Sequence, residues 1–170
     1  VPPPTQTPIP LLFSDNFDNG LDSNWISAGG DYNMANGRIV NTGKDSVIWL
    51  GKKDWANVVV EFDAEELACS SGAGYAQVLL RMQDPSNYVS IHTTHCGRSH
   101  GIFLFRNGEE QKRMVDIFPG GKHWRIEVIG DVYKVFSDGQ LRASASDKTF
   151  QNGSVGLSII RGGAVDNFTV

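Results

Sequence analysis

Three carboxylates alternate along one short stretch, Glu61, Asp63 and Glu65 in VVVEFDAEEL. Successive side chains of a strand point to opposite faces, so these three share one face and Val58, Val60, Phe62 and Ala64 share the other. Carboxylates at this spacing can supply the nucleophile and acid of a retaining glycosidase, which sit about 5–5.5 Å apart. Downstream, AQVLLRMQD sets Gln77, Leu79, Arg81 and Gln83 against Val78, Leu80 and Met82. YVSIHTTH sets Tyr88, Ser90 and His92 against Val89 and Ile91, and in GIFLFR we expect Phe103 and Phe105 inward and Arg106 outward. If the four runs are sheet neighbours, one face is apolar and the other collects Glu61, Asp63, Gln77, Arg81, Ser90, His92 and Arg106. Such a floor, with Tyr75, Tyr88 or Trp49 as a stacking platform, suits a polyhydroxylated ligand. The same pattern also describes a solvated face laced with cross-strand ion pairs such as Glu61 with Arg81. Spacing alone leaves both open. The loops ACSSGAGY and HCGRSHG are a further candidate, since Gly and Ser permit close backbone approach.

A second group is acidic. Asp15, Asn16 and Asp18 lie near the amino end, Asp166 and Asn167 near the carboxyl end. If the two ends pair, their hard oxygens suit calcium, which takes about 6–8 such ligands. Asp15, Asp18 and Asp166 are the predicted metal ligands and structural calcium the predicted cofactor, against the ordinary use of Asp and Asn in turns. Zinc on His92, His95, Cys96 and His100 is disfavoured, because His92 and His95 of one strand point to opposite faces. The two cysteines, Cys69 and Cys96, fall at the end of the AQVLLRMQD–YVSIHTTH hairpin away from its Asp84-Pro85-Ser86-Asn87 turn. That placement favours a disulfide worth roughly 3 kcal/mol, with two free buried thiols as the alternative.

The elements that must position these groups are strands. No dozen residues show a 3.6-residue apolar period, whereas short alternating runs separated by Gly, Asn, Asp and Pro recur. Asn36-Gly37, Asn107-Gly108 and Asp138-Gly139 are hairpin signals. HWRIEVIG alternates Trp124, Ile126 and Val128 inward with Arg125 and Glu127 outward, and Trp25 caps the core. The pattern predicts an all-β fold, a two-sheet antiparallel sandwich of roughly a dozen strands.

At 170 residues the chain is one domain by size, large enough to bury about 70% of its extended surface. The formal charge of −4 gives no electrostatic case for nucleic acid. No apolar run reaches the roughly 20 residues of a membrane span. The opening VPPPTQTPIP is a Pro/Thr-rich linker by composition. Residues 1–10 are therefore expected to tether a domain at 11–170, a monomer within a larger extracellular or cell-surface chain.

FSDNFDNGLDSNW, WANVVVEFDAE, LLRMQDPSNYVSIH, HWRIEVIGDVYKVFSDGQ and SVGLSIIRGGAVDNFTV occur in that order. Together they resemble a concanavalin A-like lectin/glucanase jelly roll, of the laminin-G-like and carbohydrate-binding-module kind, over residues 12–170. The resemblance implies two curved antiparallel sheets with the first and last strands adjacent. Independently, Asp15-Asn16-Phe17 echoes Asp166-Asn167-Phe168. Related modules hold structural calcium on the sandwich edge. Glu61-Phe62-Asp63-Ala64-Glu65 also resembles the E-x-D-x-E signature of family 16 glycoside hydrolases. That likeness would make Glu61 the nucleophile, Asp63 the assisting acid and Glu65 the acid/base. The chain is short for that family, and no aromatic-rich cleft flanks the motif. The expected function is therefore a non-catalytic carbohydrate-binding module recognising a polysaccharide or glycan. The alternatives are an extracellular sensor or protein-interaction domain and, behind it, a β-glycan hydrolase.

Overall fold

The computed structural model describes residues 10–51, 53–66, 75–94, 100–117, 121–160 and 162–170, with the side chains of Glu66, Tyr75 and Thr94 outside the description. Cys69 and Cys96, the predicted disulfide pair, His95, and residues 1–9 of the predicted linker also lie outside the described residues.

Sheet A runs β13 (Gln140–Ser146), β12 (Val132–Ser137), β11 (His123–Ile129), β6 (Val58–Glu66), β15 (Gly163–Thr169), β4 (Ile39–Asn41) and β3 (Tyr32–Met34). β1 (Ser14–Asp15) pairs with β15 as well. Sheet B runs β10 (Glu109–Asp116), β9 (Gly101–Arg106), β8 (Asn87–Thr94), β7 (Tyr75–Asp84), β14 (Ser154–Ile159), β5 (Ser46–Trp49) and β2 (Ile26–Ser27). The pairings are antiparallel, and no helix occurs among the described residues. The two sheets make the predicted sandwich, and the chain ends meet as predicted, Ser14 opposite Thr169 and Asp15 opposite Phe168.

The local signals act as expected. Asn36-Gly37, Asn107-Gly108 and Asp138-Gly139 each hold positive φ at both residues, 54° and 70°, 55° and 78°, 46° and 75°. Two left-handed residues give the turn whose twist matches the strands it joins, and Asn, Asp and Gly tolerate that conformation best. Between the sheets, Val58, Val60 and Phe62 of β6 and Trp124, Ile126 and Val128 of β11 enter one core with Val78, Leu80, Val89 and Ile91 of sheet B. Each such side chain contributes about 1.5–3 kcal/mol by leaving water. Trp25 closes one end. Its indole meets Phe13 edge-on at 5.4 Å and Phe168 at 5.3 Å, while Nε1 donates to Asp15 Oδ2 at 2.9 Å.

Three expectations are corrected. First, the four runs from Val58 to Arg106 are not neighbours in one sheet: β6 lies between β11 and β15 in sheet A, and β7, β8 and β9 lie in sheet B. Every strand of a sandwich has one buried face, so the alternation of β6 fits either layer. Second, β9 has the opposite phase. Ile102 and Leu104 enter the core, and Phe103 and Phe105 face outward against His92 and Tyr88. Arg106 therefore takes the core-side phase at the exposed strand end.

Third, Arg81 is not on the outer face. It is 2% exposed, with φ at 49° and a register shift between Leu80 and Asp84. A β-bulge puts an extra residue in one strand and re-aims its side chain. The bulge turns Arg81 inward, where its guanidinium donates to the carbonyls of Phe150 (2.6 Å), Ala56 (3.1 Å) and Gly130 and lies 5.4 Å over the Tyr133 ring. Gly153 makes room: a Cβ there would sit 2.4 Å from the Arg81 carbonyl carbon.

Candidate functional site

The outer face of sheet B is built in cross-strand rows. One crosses all seven strands: Ile26 opposite Trp49, Trp49 opposite Gly156, then Leu79, Ser90, Phe103 and Arg113. Beside it run Val47, Ser158, Gln77, His92 and Gly101. On the other side Tyr88 stands opposite Phe105. The middle strands carry small or polar groups, and bulky rings stand on both flanks. With strands about 4.8 Å apart, the three steps from Trp49 on β5 to Ser90 on β8 span about 14 Å, and Tyr88 stands one row to the side.

The middle of this face is buried although it lies outside the inter-sheet core. Leu79 is 1% exposed and Ser90 0%, and neither belongs to the inter-sheet cluster. Ser90 Oγ donates to Gln77 Oε1 at 3.4 Å. Tyr88 stacks on Phe105 at 5.1 Å, and burial pushes its hydroxyl pKa up. Phe103 packs on His92 at 4.3 Å with the Arg113 guanidinium 5.3 Å over its ring. Arg113 is also engaged by the Asp116 carboxylate and the His100 carbonyl.

The outer face of sheet A has a different chemistry. Glu61 pairs with Arg125, not with the predicted Arg81, and Arg125 also reaches Glu127 at 3.0 Å. Partial burial disfavours the Arg125 charge, yet the two glutamates hold its pKa above the ordinary value. Asp63 Oδ1 meets His123 Nδ1 at 2.9 Å, and its Oδ2 accepts from Asn167 Nδ2 at 2.9 Å. Glu65 accepts from Lys122 at 2.6 Å and from Arg38. The Lys122 hydrogen bond, aided by the Arg38 charge, holds its carboxyl below the usual glutamate value. Around these groups lies a cleft of about 290 Å³ lined by Arg38, Asp63, Glu65, Lys122, Ala164 and Asp166.

Of the predicted calcium ligands, Asp15 and Asp166 line different cavities. Asp15 Oδ1 accepts from the Phe17 amide, and Oδ2 from the Asp22 amide and the Trp25 indole. Asp18 accepts from Asn16 Nδ2 at 2.7 Å. Asp166 accepts from the Asn167 amide and lines the sheet A cleft, whereas Asp15 lines a separate edge cavity of about 620 Å³. No three His, Cys, Asp or Glu side chains among the described residues converge on a point where a metal would sit. Asp15 is a turn and tryptophan anchor, the ordinary use of a short carboxylate beside free amides.

Of the predicted ligand-binding residues, Gln77, Tyr88 and His92 share the sheet B face, with Trp49 at its far side. Glu61 and Asp63 lie on sheet A, Arg81 is inside, Arg106 stands at a strand end, and Tyr75 begins β7 with its side chain outside the description. Phe103, Phe105, Arg113, Gly156 and Ser158 join the face unpredicted. One signal for the phenylalanines was available: the unbroken run IFLF implies that both strand faces are covered.

No family model matches the sequence, and no curated protein matches it significantly. Solved structures do. The carbohydrate-binding module CBM66 from Bacillus subtilis superimposes with a TM-score of 0.68 at 20% identity, over 85% of this chain and 91% of that one. The Emp47p carbohydrate recognition domain gives 0.64 at 15%, over 92% and 93%. A GlcNAcα1-4Gal-releasing endo-β-galactosidase from Clostridium perfringens gives 0.69 at 16%, over 98% of this chain and 64% of that one. At such identities the likeness is one of fold: two antiparallel sheets with adjoining chain ends in a concanavalin A-like jelly-roll fold.

Proposed function

We propose that this domain is a non-catalytic carbohydrate-binding module that holds a glycan on the outer face of sheet B. The observation that carries the reading is the make-up of that face, where Gly156 and Ser90 share the Trp49 row, Ser158 and Gln77 stand in the row on one side, and the Tyr88 ring stands in the row on the other. Sugar hydroxyls need placed donors and acceptors, and the C–H faces of the ring need an apolar platform. The printed names of two fold neighbours, a carbohydrate-binding module and a carbohydrate recognition domain, favour the same reading by analogy. The Pro/Thr-rich composition of residues 1–10 supports a tethered module of a secreted or surface-displayed chain.

The hydrolase reading fares worse. An acid/base carboxyl needs a raised pKa so that it holds its proton near neutral pH. Lys122 shifts Glu65 in the other direction, and Glu61 is already paired with Arg125.

Affinity electrophoresis through a panel of polysaccharides tests the proposal. Wild type is retarded by at least one. Gln77→Ala weakens that retention by about tenfold, the loss of one or two hydrogen bonds, and Glu61→Gln leaves it unchanged. A folded wild-type protein that no polysaccharide retards ends the reading. Reducing-sugar release that vanishes in Glu61→Gln would install the hydrolase instead.

A further inference from the structure

We propose that the primary subsite of this face is off centre, on the β5–β14–β7 half, with the Trp49 indole as its platform and an uncharged sugar ring as its occupant. This rests on the glycan-binding reading above and adds which ring is used and what charge the ligand carries.

The other rings of the face are occupied. Phe103 is 3% exposed, packed on His92 and covered by Arg113. Tyr88 and Phe105 are stacked on each other, so each has one ring face taken. Trp49 makes no aromatic or cation contact among the described residues, and it lies outside the inter-sheet cluster although Ile48 and Leu50 on either side belong to it. It is half-buried, and its cross-strand neighbour Ile26 is 46% exposed. A partly exposed indole that no other described ring or cation covers is what a sugar's C–H face stacks on.

The base of the indole is fixed. Its cross-strand neighbour is Gly156, where an added Cβ would meet the Ile48 carbonyl at 2.8 Å, Trp49 Cβ at 3.0 Å and Met82 Sδ at 3.2 Å. β5 and β14 are therefore closely packed here, and the platform is held before any ligand arrives, which limits the ordering cost of binding. Beside the platform, Ser158 and Gln77 form the next cross-strand pair and supply a hydroxyl and a carboxamide.

Charge selects the occupant. The row residues on this half are Ile26, Val47, Trp49, Gly156, Ser158 and Gln77, and none is ionisable. The nearest guanidinium of the central row, Arg113, stands at the opposite end and is already matched by Asp116. Among the described residues of these rows no cation stands beside Trp49, so a uronate or sulfated sugar placed there would lose hydration without a charged partner, which disfavours it.

The test is calorimetry with neutral cello-, xylo-, laminari- and galacto-oligosaccharides and an acidic oligogalacturonate, followed by variants against the tightest ligand. Trp49→Ala lowers affinity by about tenfold or more, Trp49→Phe retains part of it, Tyr88→Ala loses clearly less than Trp49→Ala, and Glu61→Gln on the opposite sheet binds as wild type. Saturating ligand shifts the tryptophan fluorescence of wild type, and the shift is absent in Trp49→Phe, which keeps Trp25, Trp55 and Trp124. If Trp49→Ala does not fold, protection of Trp49 from N-bromosuccinimide in the wild-type complex, read by mass spectrometry, decides the point. Full affinity in Trp49→Ala, loss in Tyr88→Ala instead, an unprotected Trp49, or a preference for the oligogalacturonate overturns the subsite and leaves glycan binding standing. Binding to none of the sugars removes both.

Discussion

The two outer faces of this sandwich are built from the same alternation and have opposite chemistry. On sheet A the described carboxylates of β6 are already engaged: Glu61 by Arg125, Asp63 by the His123 imidazole, and Glu65 by Lys122 and Arg38. On sheet B the middle of the face holds Leu79, Ser90, Gln77 and Gly156 within a frame of rings. A face whose charges satisfy one another is a solvated scaffold face, and such pairs contribute only about 0–1 kcal/mol each. A face with polar groups sunk between rings offers something to a ligand. Acidic residues attract the eye in the sequence, yet the quieter strands make the better site.

The contrast can be tested from its deepest element outward. Arg81 is the one charged group of β7 that left the outer face, and it ties three carbonyls of inter-strand segments together. Arg81→Met strands those acceptors and is expected to cost about 3 kcal/mol or more in urea unfolding. A loss under about 1 kcal/mol would mean that the inward turn of Arg81 holds nothing together.

Beneath it, Tyr133 is fully buried, and burial pushes its pKa up to about 12, with the Arg81 charge pulling the other way. The unfolded chain loses that proton near pH 10 and the folded chain near 12. In between the folded state binds more protons, so stability falls as pH rises, by up to about 3 kcal/mol across the window. Tyr133→Phe is expected to leave neutral-pH stability within about 1 kcal/mol and to flatten this alkaline decline. Equal declines in both proteins would show that the hydroxyl reaches water.

The smallest effects belong to sheet A. Glu65→Gln and Glu61→Gln should each change stability by about 1 kcal/mol or less, because these pairs are partly exposed. The folded Glu65 value is depressed, so its contribution is present above the ordinary glutamate range and is lost as pH falls through the folded value. Acid titration should therefore cost wild type slightly more than Glu65→Gln, while glycan retention stays equal. A large loss of retention in either variant would move the binding face to sheet A and reverse the comparison.

Much of the fold was legible because its signals are local. Asn36-Gly37, Asn107-Gly108 and Asp138-Gly139 marked hairpins, and the β11 alternation gave its buried face residue by residue. The candidate site was less legible. Gln77, Tyr88 and His92 were predicted to share a face and do. Glu61 and Asp63 were grouped with them because alternation gives a strand's two faces without giving its sheet. The phase of β9 was missed because both faces of IFLF are apolar, one for the core and one for the ring cluster with Tyr88 and His92.

The amino-acid sequence by itself determined the strands, the tight turns, and the inward and outward sides of most of them, since each follows from side-chain period and from residues that accept positive φ. Tertiary structure alone decided which layer β6 joins, that a bulge sends Arg81 inside, that Asp15 holds Trp25 while Asp166 lines a separate cleft, and that Trp49 stands beside Gly156. Those outcomes depend on pairing between strands far apart in the chain, where one residue of register reverses every side chain, and no local pattern carries that information.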